Sequence, residues 1–533
     1  MNFLPEKLIE CVKLSGGEKN KKRYRKNMVL PVQCSCRKNK ERMCTMLNKI
    51  VSKENIKFKE LEKEIFRYMN MIGCSIMKSI LEEEDERIFN EIDKEKYTSK
   101  GFEGTSIQTI MGNIPYKRRR YIVEEECVKK TVYLLDEKLG IFAIKKISGN
   151  VVEKIIDIVK TNTYRETAKI LEETTGTVLS FEGIRDIVLE VGKRIEDREK
   201  RLVELKKKDQ LVQGEKEVVA LFEEADGIFI NLQGKDRKEA LEEQEKNKGC
   251  ENNEHIKVKK ELKLHVMYEG WKKGDKRHPL VNKTYTAGIM EAKELKKIRD
   301  AKVYEKYNED AIKLRVLNGD GASWTKALTP KGGIYQKDYF HIIKKINDCI
   351  SEEYRNRIIQ LITTKASYRK IYNELEKIKY EEDGIYEKVK KIEQVQNYLK
   401  NGLKRYSDIV EVPKAPKGIE FRRLGTQESQ IFSTLKVRLK SGRKSFSIKG
   451  ANALAKICVL ADKLSIEEME RPIAIDTSVE DYIKKIEDNI IKNRNSCRLE
   501  RVGKGDWGVK QSHSAYKFMK DIFRIREFSN IRF

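Results

Sequence analysis

The chain has 533 residues, of which 112 are lysine or arginine and 85 aspartate or glutamate, a formal charge of +27. A prior of ~150 residues per domain gives three or four units, and the positive excess favours a polyanion whose condensed counterions basic side chains displace. No apolar run approaches the ~18 residues that span a bilayer, and the N-terminal MNFLPEKLIE lacks the apolar core of a secretion signal.

Residues 1–45 are polar and basic, with KNKKRYRKN and CRKNKERMC. They are expected to form a disordered arm, or translation starts near Met43 or Met46. The ten cysteines are scattered and fit reduced thiols. Cys34, Cys36 and Cys44 cluster, but no histidine lies nearby and their spacing matches no common zinc module.

Residues 46–95 predict helices, with Phe58, Leu61, Ile65 and Tyr68 at three- and four-residue steps. In SIQTIMGNIPYKRRRYIVEEE, β-branched residues flank Gly112-Asn113, a hairpin signal. Its second strand carries Lys117, Arg118, Arg119 and Arg120, either a charged edge that suppresses aggregation or a strip of phosphate contacts.

TYRETAKILEETTG and VLSFEGIRDIVLEVGKRI, within 150–192, predict two amphipathic helices, the first with Ala168, Ile170 and Leu171 inside it and a glycine at its end. Ser180 is placed as the N-cap of the second, and Ile184, Ile187 and Val188 form its inward face. The pair fits a helix-turn-helix as well as it fits ordinary helical packing. In the first case Arg185, on the exposed face early in the second helix, is the candidate guanine contact.

A charged connector, 193–216, leads to strand patterns in VVALFEEADGIFINLQ, KLHVMYEGW and TYTAGIM, with a polar insert near 234–258 expected as a loop. Residues 291–309 predict a helix, and IKLRVLNGDGASW a strand ending in a turn. Helical patterns dominate 338–408, a loop holds Pro413 and Pro416, and TQESQIFSTLKVRLK predicts a final helix.

Two aspartates stand at expected strand ends in apolar surroundings, Asp226 in EEADGIFI and Asp320 in VLNGDGASW. Phosphoryl transfer uses clustered carboxylates, because divalent ions ~3.5–4 Å apart activate the nucleophile and neutralise the leaving oxygen. Asp-Gly is also a hairpin-turn dipeptide, and Asn318-Gly319-Asp320-Gly321 makes a turn by itself. Spacing leaves both readings open.

Several segments, in order, resemble the ISLre-type insertion-sequence transposases, related in plan to the mutator-like transposases: GTSIQTIMGNIPYKRRRY, YLLDEKLGI, TYRETAKIL, EADG, YEGW, LNGDGASW, KDYFH, and LGTQES followed by SFSIKGANAL. The resemblance runs from about residue 46 to about 460. It implies an α/β, RNase H-like catalytic core with a helical insertion, preceded by a mainly helical DNA-binding region with a small hairpin. It further implies an aspartate–aspartate–glutamate triad and Mg²⁺ or Mn²⁺. Asp226 and Asp320 match the first two carboxylates. Glu428 in LGTQESQIF matches the third, with Glu420 the weaker alternative, because Ile431 and Leu435 give Glu428's helix a packing face.

In KDYFHIIKKI, Asp338 and His341 lie one helical turn apart and match an Asp-x-Phe-His segment. They either orient a metal ligand or contact DNA, or simply pack. Trp324 either stacks on a base or anchors the core.

The resulting domain reading is 1–45 arm, 46–149 helices and hairpin, 150–216 helix-turn-helix and connector, 217–337 core, 338–417 insertion, 418–465 last core helices and 466–533 tail. The implied protein is a DNA transposase of the bacterial cytoplasm, associated with the nucleoid. It acts as a homo-oligomer on double-stranded DNA: the terminal inverted repeats of its element and a target. The rivals are a non-catalytic DNA-binding protein or repressor derived from a transposase, and a nuclease without strand transfer.

Overall fold

The computed structural model describes residues 57–460 and 472–474, apart from 126–127, 142–143, 145, 248–257, 275, 383–385, 401 and 443. The expected basic arm, the Cys34/Cys36/Cys44 cluster, the alternative starts at Met43 and Met46, and most of the 466–533 tail lie outside the described residues. Contacts divide the chain into two compact units. One runs to Lys154 and includes Ala168–Ser180; the other takes Ile155–Thr167 and everything from Phe181. No described helix is long and apolar enough to cross a membrane.

The first unit is a mixed α/β body. Helix α1 (Phe58–Glu91) lies against a hairpin of β1 (Tyr97–Thr109) and β2 (Gly112–Glu125), with β3 (Val128–Val132) paired on β2 and the short α2 (Leu134–Lys138) following. Leu81 and Ile88 of α1 meet Ile107, Ile114, Tyr116 and Leu135 in one buried cluster. Gly112 makes the tight turn at φ 129°, a region open mainly to glycine. The basic run in β2 cannot present four cations to one side, since strand side chains alternate. Arg119 turns inward, where its guanidinium and backbone N–H donate to the Asp85 carboxylate at 2.8 and 2.9 Å. Arg118 is held in an ion pair with Asp136 over the Tyr133 ring. Only Lys117 and Arg120 of the four are exposed, so the four side chains do not form one exposed basic strip as expected.

Asp85 and Arg119 are both buried, and removing Asp85 leaves the buried guanidinium with only the solvent-exposed Glu86 as its ionic partner. Asp85→Ala is expected to cost about 3–5 kcal/mol in urea denaturation of the full chain. Lys117→Gln, at an exposed side chain of the central strand β2, should change stability by no more than about 0.5 kcal/mol.

Helix α3 (Gly149–Val159), α4 (Tyr164–Thr174) and α5 (Phe181–Lys207) occupy the region of the expected helix pair. Ile184, Ile187 and Val188 are fully buried, as the periodicity requires. The pair is not a self-contained module, however. The division of contacts runs through α4 at Thr167/Ala168, and α5 is a 27-residue helix belonging to the second unit.

The second unit is built on a six-stranded sheet. Its main path is β7 (Thr284–Gly288), β5 (Lys259–Tyr268), β4 (Ala220–Leu232), β8 (Leu314–Gly319) and β9 (Ile334–Lys337), and β11 (Ser445–Phe446) joins β4. The β7–β5–β4 pairs are antiparallel, whereas β8 and β9 continue parallel to β4. The charged segment after β4, expected as a loop, is helix α6 (Gly234–Asn247). GKDRKEALEEQEKN has no apolar stripe to reveal it, but it is rich in helix formers, begins with acidic Asp236, and has a Lys235–Glu239 pair one turn apart at 3.4 Å.

On one face of this sheet α7 (Ala292–Lys306) buries Leu295 against Ala225 and Leu317. It also covers a buried charge cluster, in which Glu223 accepts from Arg315 at 2.6 Å, from Arg299 and from His265. Burial alone would raise the Glu223 carboxyl, but Arg299 and Arg315 hold it well below the usual range. The short α8 (Ser323–Ala327) follows β8. After β9, four helices pack around Ile346, Ile358, Leu375 and Val395: α9 (Tyr339–Cys349), α10 (Glu352–Thr363), α11 (Tyr368–Glu381) and α12 (Tyr386–Leu399). They are the helical block expected at 338–408. The chain then returns through β10 (Ile419–Glu420), paired on β6 (Trp271–Lys272), to α13 (Gln427–Ile431). A π-helical turn, Phe432–Lys436, leads to α14 (Val437–Leu439), and α15 (Ile448–Cys458) closes on α5 where Gly192 meets Ala453.

Candidate active site on three parallel strands

The register of the parallel strands aligns the candidate carboxylates. Ala225 of β4 is level with Gly319 of β8, and Gly319 with Lys337 of β9. The next residues are Asp226, Asp320 and Asp338, one on each chain segment. Neighbouring strands lie ~4.8 Å apart, so three carboxyl groups leave the sheet at one level. Asp226 is not at a strand end as expected: β4 runs through Asp226-Gly227 to Leu232, still paired with β5. What ends there is its pairing with β8, so Asp226 occupies a mid-strand position beside an opening edge. The turn reading of Asp226-Gly227 fails with it. Asp320 does follow its strand, and Gly321 at φ 95° makes the turn.

Asp226 is buried, and its Oδ1 accepts the Gly227 N–H at 2.7 Å. Burial pushes its carboxyl up to about 6; nearby Asp320 and Glu428 add to the rise, and His341 and the Gly227 N–H oppose it. Asp320 Oδ1 accepts from the Ala322 N–H at 2.9 Å and the Thr325 hydroxyl at 3.1 Å. Asp338 caps α9, bonding the His341 ring through Nδ1 at 3.0 Å and accepting from Asn318 Nδ2, also at 3.0 Å. The other ring nitrogen of His341 lies 3.9 Å from Asp226 Oδ2. Burial lowers the His341 imidazole, but the Asp338 hydrogen bond and the Asp226, Asp338 and Asp320 charges outweigh it and raise it. His341 thus stands between two of the three aspartates, bonded to Asp338 and facing Asp226.

Glu428 enters from the second residue of α13, with Ile431 and Leu435 fully buried behind it. Its negative charge helps to raise the Asp226 carboxyl, and its carboxylate forms an ion pair with Lys436 across the π-helical turn. Glu420, the weaker alternative, pairs through its backbone with Trp271 and through its carboxylate with Arg422 at 2.8 Å and with His278. Trp324 donates its indole N–H to Glu261 at 3.1 Å and packs on the Ala225–Leu317 cluster, an anchoring position. Arg185 is exposed on the first turns of α5, 3.6 Å from Asp186. It lies outside the carboxylate group.

Beneath the carboxylates runs a layer that the sequence reading passed over. Two residues before each aspartate, on the same face, stand Glu224, Asn318 and Gln336, level with one another. Asn318 donates to Glu224 at 3.2 Å, and Gln336 donates to Asn318 at 3.3 Å. All three are buried. The signal was there in the repeated polar-x-Asp pattern: Glu224-x-Asp226, Asn318-x-Asp320, Gln336-x-Asp338.

These groups suit a hard divalent cation. Magnesium takes oxygen donors and needs only one or two protein carboxylates beside water and phosphate oxygens. Burial, with a smaller contribution from the Asp320 and Glu428 charges, raises the Asp226 carboxyl, and a bound cation would relieve that penalty. Asp226 and Asp320 fit that role. Glu428 is engaged by Lys436, and among the described residues no three acidic, histidine or cysteine side chains converge to ligate one ion as they stand.

Because the Asp226 carboxyl sits at about 6 rather than its ordinary 3.8, its charge opposes folding. The penalty is absent below the unfolded value, grows between the two, and is complete above about pH 6, on the order of 3 kcal/mol. In chelator, Asp226→Asn should therefore raise the Tm, more at pH 7.5 than at pH 4.5. An equal shift at both pH values would contradict a buried, strained charge.

The family described as "Uncharacterised protein family (UPF0236)" matches residues 51–253 and 252–468. A UPF0236 protein of Caldanaerobacter subterraneus subsp. tengcongensis is 25% identical over 426 residues, covering 77% of this chain and 79% of the relative. The UPF0236 protein in vanSb 3′ region of Streptococcus gallolyticus is 26% identical over 176 residues, 33% of this chain and 36% of the relative. Among solved structures there is a weak likeness to a chain of the Drosophila P element transposase strand transfer complex. It has a TM-score of 0.19 and 10% identity and covers 66% of this chain and 89% of that one, a score too low to identify a fold.

Proposed function

We propose that this chain, which belongs to the UPF0236 family, is a metal-dependent DNA transposase with an RNase H-like catalytic core. The observation that carries the reading is the register that brings Asp226 and Asp320 level on adjacent parallel strands, with Glu428 near enough for its charge to act on Asp226. Three antiparallel strands continued by two parallel ones, with a helical block inserted before the last carboxylate, agree with the plan implied by the resemblance to ISLre-type transposases.

The proposed reaction is displacement at phosphorus. A water oxygen bonds to the phosphorus and the bridging 3′ oxygen leaves, freeing a 3′-hydroxyl at the element end. That hydroxyl oxygen then bonds to the phosphorus of a target phosphodiester, and the target strand's own bridging 3′ oxygen leaves as a hydroxyl, taking up the proton that the attacking group loses. Mg²⁺ or Mn²⁺ held by Asp226 and Asp320 would supply Lewis-acid activation and charge neutralisation. The chain's own groups fix the geometry. Thr325 and the Ala322 N–H hold Asp320 in one orientation, and His341, tied to Asp338, faces Asp226. Beside β9 opens a cleft of about 630 Å³ whose lining includes Lys337, Lys365, Lys404, Arg405 and Arg423 with Tyr339 and Tyr368. Cations interleaved with aromatic rings suit a phosphate backbone and its bases, as does the overall charge of +27.

Asp226→Asn and Asp320→Asn should each abolish Mg²⁺-dependent cleavage of an element end while leaving gel-shift affinity for that end unchanged. Cleavage near the wild-type rate by either variant would remove the assignment. A chain that binds the ends but never cuts them, wild type included, would favour the non-catalytic reading.

Arg185 is proposed to read a base in the terminal repeat, from its exposed place at the start of α5. Arg185→Ala should lower affinity for the repeat by about 1–3 kcal/mol and leave scrambled DNA unaffected. Equal losses on both DNAs would make it a phosphate contact.

A further inference from the structure

The geometry points to Glu224 as a positioning residue: a buried carboxylate that fastens the start of the Glu428 helix to the strand carrying Asp226. The role rests on the transposase reading of this site. Glu224 is fully buried, and every donor around it comes from one of three places. From the loop entering α13 it accepts the N–H groups of Gly425 at 3.1 Å, Thr426 at 3.0 Å and Gln427 at 3.1 Å, with the Thr426 hydroxyl at 2.6 Å. From β5 it accepts the Tyr268 hydroxyl at 2.6 Å, and from β8 the Asn318 amide at 3.2 Å.

A carboxylate taken out of water needs such partners, since an unpaired buried charge is costly. Here four of the six, three backbone N–H groups and the Thr426 hydroxyl, belong to the segment that ends one residue before Glu428. The helix itself holds this entry weakly, since Thr426 as N-cap makes no capping bond; the other tie is the Gln427 side chain, which donates to the Leu264 carbonyl of β5 at 3.2 Å. Gly425 completes the arrangement. It adopts φ 131°, and a Cβ there would stand 3.3 Å from Asp338 Oδ1, so the loop passes directly over the aspartate layer.

Glu224 lies two residues from Asp226 on the same face of β4, and Gln427 is adjacent to Glu428. One side chain thereby sets the spacing between the first and third carboxylates of the site. An apolar residue in its place would leave three backbone N–H groups buried without acceptors. A glutamine would set an NH₂ group against N–H donors.

The test compares full-length wild type with Glu224→Gln, Glu224→Asp and Asp226→Asn. Three readings are taken: end cleavage, affinity for the end, and hydrogen exchange at the amides of 425–427, β4 and β5. Glu224→Gln should slow cleavage by about 100-fold, the scale of an ångström's misplacement, with end affinity unchanged. Exchange should accelerate at 425–427 and stay as in wild type in β4 and β5. Glu224→Asp, which keeps the charge on a shorter stem, should recover part of both the rate and the protection.

Wild-type cleavage by Glu224→Gln, with Asp226→Asn inactive, would overturn the positioning role and leave the transposase reading standing. Faster exchange across β4 and β5 as well would make Glu224 a plain stabiliser of the sheet and overturn it too. Wild-type cleavage by Asp226→Asn would overturn both proposals.

Discussion

The second unit depends on the parallel register of β4, β8 and β9. A parallel pair cannot be joined by a tight turn, so each strand is reached by a crossover, and the place where the strands part is left open. Ala225, Gly319 and Lys337 are level, and the residue after each is an aspartate. Shifting any one strand by a single position would turn its aspartate to the opposite face. That face is occupied by the apolar cluster of Ala225, Leu295 and Leu317 and by Glu223, which already takes the arginines there.

So many charges near one level oppose folding, and the surrounding structure offsets this in two ways. Beneath the aspartates, Glu224, Asn318 and Gln336 form a hydrogen-bonded row, which spreads out as Asn318 reaches Asp338 and Gln336 Oε1 accepts the Tyr406 N–H at 3.0 Å. On the other face, Glu223 collects Arg299 and Arg315, so the adjacent glutamates of EEAD serve opposite sides of one strand. The apolar support comes from a cluster of rings: Phe222 lies against Tyr268, Trp271, Tyr406 and Phe421, with centroids 5.1–6.0 Å apart. What remains unrelieved is Asp226 itself, the group the proposed cation would neutralise.

Periodicity carried much of this. The strands around Phe222, Val266 and Val316 and the helices around Ile346 and Leu375 follow apolar spacing that survives without tertiary information. Features that depend on pairing were hidden. Arg118 and Arg119 looked like one basic strip with Lys117 and Arg120, because the partners Asp136 and Asp85 are distant in sequence. Helix α6 has no apolar stripe and read as a loop. Asp226 looked like the end of a strand because Gly227 follows it, whereas β5 carries β4 onward. Of the site, Asp226, Asp320 and Glu428 could be picked out by motif, but Glu224 could not. Its function lies in accepting backbone N–H groups some two hundred positions away, and backbone donors leave no residue signature.

The central claim is that Asp226 and Asp320 jointly hold a divalent ion against DNA. The most direct measurement is oxidative cutting of the polypeptide by bound Fe²⁺ with ascorbate and peroxide, where the chain breaks beside the ion. Breaks mapping beside 226 and 320 and suppressed by excess Mg²⁺ are the predicted result. Breaks elsewhere, or a pattern that Mg²⁺ does not compete, would contradict the account.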